Sequence, residues 1–162
     1  MRFAHDVHRQ TQELVAEFLR ELFDDLYYEE DTGHFYVRYG STVLEVAVEG
    51  YGPEEARVTV MAYCVQGVRL ERDLLLGLLE LNHHLPFGAF SLVGNDIYFS
   101  QSLFGRSLQR SNLLGAIAAV ANISDEYDDR IVAKYGGQTA LERIRDTAER
   151  RLAGKREKQE TR

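Results

Sequence analysis

The apolar positions of the chain recur with two periods, and the switches between them divide it into elements. From Thr11 to Leu26 the spacing is three to four. Leu14, Phe18, Leu22 and Leu26 form one row, and Val15, Leu19 and Phe23 widen it. That period predicts an amphipathic helix. Its other face carries Glu13, Glu17, Glu21, Asp24 and Asp25. Acids late in a helix oppose its dipole, so tertiary packing must hold the C-terminal end. Met1 to Arg9 give no clear signal, and Glu29 to Gly33 read as a polar exit loop.

The period then falls to two. Phe35 to Tyr39 predicts a strand, with Gly40-Ser41 as a turn. Thr42 to Glu49 alternates, with Leu44, Val46 and Val48 on one face and Val43, Glu45, Ala47 and Glu49 on the other. Arg57 to Val65 alternates likewise, with Val58, Val60, Ala62 and Cys64 on one face. Half-buried antiparallel strands have this pattern, and short connections between three of them predict a meander. Glu71 to His84 returns to the helical period. Leu74, Leu78, Leu81 and Leu85 form one row, Leu75 and Leu79 another, and Leu76 stands outside both. That is more leucine than one sheet face requires, so the first row is read as a dimer or packing surface.

Gly88 to Val93 and Ile97 to Leu103 read as a hairpin around Gly94-Asn95-Asp96, whose residues reach turn conformations at low cost. A third helix, from Leu108 or Asn112 to Tyr135, has a middle of small residues and stops at Gly136-Gly137. Thr139 to about Leu152 reads as a fourth helix with a narrow stripe of Leu141, Ile144, Ala148 and Leu152. The order α-β-β-β-α-β-β-α-α predicts an α+β fold: a five-stranded antiparallel sheet with helices packed on it. Residues 1–153 are read as one domain and 154–162 as a disordered basic tail.

Composition narrows the chemistry. The 162 residues carry a formal charge of −7. Glu142 to Arg162 hold eight basic and five acidic residues, net +3, and the remainder is net −10. An acidic body repels phosphate, so direct nucleic-acid binding is not expected of it. Cys64, the single cysteine, excludes an intramolecular disulfide and reads as a small core residue. No apolar segment at the N-terminus resembles a secretory signal, and no run reaches the ~18 residues of a membrane span. The expected compartment is cytoplasmic.

No nucleophile elbow, phosphate loop or dinucleotide fingerprint is present, so no catalytic residue, metal ligand or cofactor is assigned. Two alternatives stay open. A metal-dependent enzyme or sensor would use His83, with Glu80 at helical spacing, and the acids Asp125 to Asp129; adjacent His83 and His84 diverge too far on a helix to chelate one ion. A nucleic-acid accessory factor would act through the basic tail.

Three segments carry a family resemblance: Leu81-Asn82-His83-His84-Leu85-Pro86-Phe87-Gly88-Ala89-Phe90, Ile97-Tyr98-Phe99, and Ala121-Asn122-Ile123-Ser124-Asp125-Glu126-Tyr127-Asp128. With the element order, they resemble the YbjN family, itself similar to the CesT-type class I chaperones of type III secretion. The resemblance spans about Thr11 to Gly136. It implies a helix-covered antiparallel sheet that binds polypeptide, often as a homodimer, with an extended client held in apolar grooves and by added strand contacts. It also implies a stress or regulatory role of the YbjN kind, and no enzyme. The fourth helix and the basic tail depart from that pattern. On this basis Phe35, Tyr36, Leu44 and Val46 are the expected client contacts, and the partner is a client polypeptide rather than a membrane.

Overall fold

The computed structural model describes residues 2–39 and 42–140. Helix α1 (Asp6–Leu22) is followed by β1 (Leu26–Glu29), β2 (His34–Tyr39), β3 (Thr42–Tyr51) and β4 (Glu55–Gln66). Helix α2 (Arg72–His84) leads to the hairpin β5 (Ala89–Val93) and β6 (Asp96–Phe104), then α3 (Arg110–Tyr135) and the short β7 (Gln138–Thr139). The strands form one antiparallel sheet in the order β1-β2-β3-β4-β6-β5, with β7 paired to the end of β4. The α+β class is as expected, but the sheet has seven strands rather than five.

Both extra strands lie where the periodicity is ambiguous. Leu26 continues the helical row in sequence, yet α1 ends at Leu22 and Phe23 is already extended. Asp24 and Asp25 would sit at the negative end of the dipole, and Tyr27 and Tyr28 favour a strand. The helix also begins earlier than Thr11. His5 caps it by accepting the His8 N–H at Nδ1 (3.2 Å). The His8 ring is buried, accepting the Ala4 N–H at Nδ1 (3.2 Å) and bonded at Nε2 to the Val48 carbonyl (3.1 Å). Thr139, expected to open a fourth helix, pairs with Val65 instead. The rest of that helix, the tail and the Gly40-Ser41 turn lie outside the described residues.

One face of the sheet is the core. Phe35, Val37, Leu44, Val46, Val58, Val60, Ala62, Ile97 and Phe99 are all buried beneath α1 and α3. Val15 and Leu19 reach in from α1, and Leu113, Ile117 and Val120 from α3. Cys64 is a buried core residue at the register shift between Tyr63 and Val65 in β4, with Sγ 3.1 Å from the Ser124 hydroxyl. Burial pushes its thiol up to about 12, against the opposing pull of the Ser124 hydrogen bond.

Helix α2 is held at both ends. Asp73 accepts hydrogen bonds from Lys134 Nζ and Tyr135 Oη, both at 2.8 Å, and these partners hold its carboxyl below the usual carboxylate range. At the other end the Asn82 amide acts as a strand of one residue. Its Nδ2 donates to the Phe90 carbonyl (3.0 Å) and its Oδ1 accepts the Phe90 N–H (2.7 Å), closing the outer edge of β5. Asn82→Asp removes the donor and sets a carboxylate against a carbonyl. It is expected to lower the free energy of unfolding by about 1–3 kcal/mol, read from urea titrations.

Candidate functional site

Two hollows of equal volume flank α1. On one side Gln12, Glu13, Ala16 and Arg20 face Tyr28 and Phe35 across about 290 Å³. On the other, Val7, Gln10, Thr11 and Leu14 face Gly105 and Arg106 across about 290 Å³. The helix is wedged between them because Gly105 leaves room: a Cβ there would lie 2.7 Å from the Thr11 side chain.

The first hollow has one feature that suits a peptide, and beside it an unsatisfied polar group. It lies beside β1, an outer strand of four residues. An outer strand offers backbone groups to an incoming chain. Gln12 is 5% exposed; its Nε2 donates to the Gly33 carbonyl (2.8 Å), and its buried Oε1 has no hydrogen-bond partner among the described residues. A buried acceptor left without a donor costs about 1–3 kcal/mol.

The expected client contacts fall on both sides of the sheet. Phe35, Leu44 and Val46 are core residues, at most 2% exposed, so they do not form an open surface. Alternation put them on the apolar face correctly, but that face is the one the helices cover. Tyr36 points the other way. The leucine row is also turned inward. Leu74 and Leu78 are buried, and Leu81 and Leu85 pack against the core. The outward leucines are Leu75, Leu76 and Leu79, the last 66% exposed.

No described helix covers the second face of the sheet, which is built around a buried carboxylate. Glu45 is 6% exposed. His34 Nδ1 lies 2.8 Å from its Oε1, and the Tyr63 hydroxyl donates to its Oε2 (3.0 Å). The Tyr36 hydroxyl lies close to the Glu45 and Glu29 carboxylates. Burial, then the Glu45 charge, pushes the Tyr36 hydroxyl up to about 12, and the same causes raise Tyr63. A raised folded value contributes stability below the unfolded value of about 10, and that stability is lost as the pH climbs past it. The urea midpoint should therefore fall between pH 10 and 12. Tyrosinate absorbance should show at least two of the nine tyrosines ionising after the others, and Glu45→Gln should move them earlier.

The metal reading finds no assembled site. Among the described residues no three His, Cys, Asp or Glu side chains converge as ligands would. His83 and His84 are exposed at the end of α2, and Glu126 pairs with Arg130 (3.5 Å) on the surface of α3. No helix of the described residues is long and apolar enough to cross a membrane.

No curated protein matches the chain by sequence. Solved structures match its fold. A chain of the ExsC–ExsE complex aligns with a TM-score of 0.61 at 14% identity, over 78% of this chain and 97% of that one. A chain of the HopA1–SchA chaperone–effector complex aligns at 0.59 and 15% identity, over 77% and 98%. YbjN from E. coli aligns at 0.51 and 10% identity, over 74% and 92%. The family model described as "T3SS (YopN, CesT) and YbjN peptide-binding chaperone 1" matches residues 9–143. The chain belongs to that family of peptide-binding chaperones.

Proposed function

We propose that this protein binds an extended client polypeptide along the flanks of α1, with a client strand added at the outer edge of β1, and that it does so in the cytoplasm without covalent chemistry. The observation that carries the reading is the hollow between α1 and β1, which lies beside an outer strand edge of the sheet. Family membership supports the choice of a peptide, and one neighbour of the same fold is a chaperone–effector complex. The acidic body favours clients with basic or neutral segments. The proposal extends to a homodimer through the outward leucines of α2, Leu75, Leu76 and Leu79, rather than the inward row. A regulatory or stress-related client fits the YbjN branch of the family.

The test uses an array of overlapping peptides from the source proteome, with hits measured by fluorescence anisotropy. Peptides of alternating apolar character should bind. Ala16→Arg, which fills the hollow, should weaken them by at least tenfold with the helical content unchanged. Binding that ignores Ala16→Arg and Tyr28→Ala together would place the client elsewhere. For the dimer, Leu79→Asp should convert a sedimenting dimer to a monomer; a wild-type protein that is monomeric at every concentration rejects that part.

A further inference from the structure

The lane beside β6 is only half filled. Strand β5 pairs with Asp96 to Ser100 and begins at Ala89. Just before it Gly88, with φ of +72°, turns the chain away. The rest of β6, Gln101-Ser102-Leu103-Phe104, pairs with β4 on one side and with no strand on the other among the described residues. The hydrogen bonds say which of its groups are free. The Gly105 N–H donates to the Ala56 carbonyl (2.7 Å). Backbone direction alternates along an antiparallel strand, so Leu103 and Gln101 also turn their groups to β4, and Ser102 and Phe104 turn theirs outward. Ser100 belongs to the outward series and agrees with it: its carbonyl lies 2.8 Å from the Cβ position of Gly88, on the β5 side.

Free edges are normally blunted by charge, proline or a covering group. Asn82 covers β5 in that way. The free part of β6 has no charge and no proline, and its Phe104 is 65% exposed. Beside it lies a hollow of about 270 Å³ lined by Tyr51, Arg57, Ser102, Leu103 and Phe104. Arg57 is already paired with Glu49, so the hollow suits an uncharged side chain. The second hollow along α1 reaches Gly105 and Arg106, directly after Phe104. A polypeptide lying along α1 is thereby led to this edge.

We propose that the free edge of β6 at Ser102 and Phe104 is a second strand acceptor, for an uncharged extended segment of the same client, which is then held at two edges of the sheet. This second acceptor rests on the peptide-binding reading and extends it. The lanes outside β1 and β6 are about six strand spacings apart, about 29 Å. About nine extended residues cover that distance, and with about four paired at each end a client needs at least about 17 residues to reach both.

Amide exchange of the full chain, followed by NMR, tests it. In the free protein the Ser102 and Phe104 amides should exchange at least tenfold faster than those of Gln101 and Leu103. An array hit extended to about 24 residues should slow them at least tenfold. Slowing at β1 with none at Ser102 and Phe104 overturns the second acceptor and leaves the α1 reading intact; slowing at neither rejects both. Protection of these two amides that grows with protein concentration, without peptide, assigns the edge to a second copy and also overturns the proposal. Ser102→Pro removes the outward N–H and keeps the β4 ladder. It should weaken the same peptide at least tenfold, as when one of two linked attachments is lost. Unchanged affinity overturns the proposal.

Discussion

Phe99→Ala should cost about 3–5 kcal/mol of folding stability, the range for truncating a fully buried aromatic ring. Small domains are stable by about 5–15 kcal/mol, so this one change would remove about a fifth or more. The ring is 0% exposed, in the middle of β6, with Ala62 of β4 on one side and Phe90 of β5 on the other. Its centroid lies 4.8 Å from that of Phe90, which in turn meets Tyr127 of α3 at 5.6 Å. Removing it leaves a void among a sheet strand, an outer strand and a helix, three elements that cannot collapse together. Phe99→Leu should cost less than about 1.5 kcal/mol, because most of the volume returns. Urea titrations followed by circular dichroism give both values. A loss below about 1 kcal/mol for the alanine variant would mean that this junction does not hold the hairpin to the sheet.

The strands around Phe99 were the most legible part of the sequence. Alternation in β3 and β4 separated the two faces residue by residue, because period two leaves no ambiguity once one face is apolar. The leucine helix and the Gly94-Asn95 turn were legible for similar local reasons. Less legible was anything that depended on a partner distant in sequence. Strand β1 is four residues long and exists because His34–Tyr39 pairs with it. Strand β7 is two residues on the end of β4. Neither is long enough to establish a period.

The candidate site was half legible. Phe35, Leu44 and Val46 were correctly apolar, but alternation does not say whether helices or a client cover an apolar face. Gln12 sat in the sequence as one more polar position of α1. Only the fold shows that its carbonyl is buried without a donor. Glu45 carried the opposite signal, since a carboxylate on the outward face of a strand reads as solvated. It is buried because His34, Tyr36 and Tyr63, from strands on both sides, bring donors to it. The segment Leu81 to Phe90, which carried the family resemblance, has a direct physical meaning. Its asparagine closes the β5 edge, and its glycine admits the ring of Phe99.

That glycine sets the second large effect. Gly88→Ala should destabilise by about 2–5 kcal/mol, through two separable causes. Gly88 has φ of +72°, where an L side chain costs about 1–2 kcal/mol. A Cβ there would also lie 2.7 Å from the Phe99 ring and 2.8 Å from the Ser100 carbonyl, an overpacking worth about 1–3 kcal/mol. Gly94 separates them, because its φ is +60° and nothing lies within 4 Å of its Cβ position. Gly94→Ala should therefore cost about 1–2 kcal/mol. The excess at Gly88 measures the clash. If the ring is its main source, Gly88→Ala combined with Phe99→Ala should lose at least about 1 kcal/mol less than the sum of the single losses, since residues in contact couple by about 0.5–3 kcal/mol. Strict additivity would shift the clash to the Ser100 carbonyl, which no side-chain truncation relieves, and the glycine would then be required by the backbone of β6 rather than by the aromatic core.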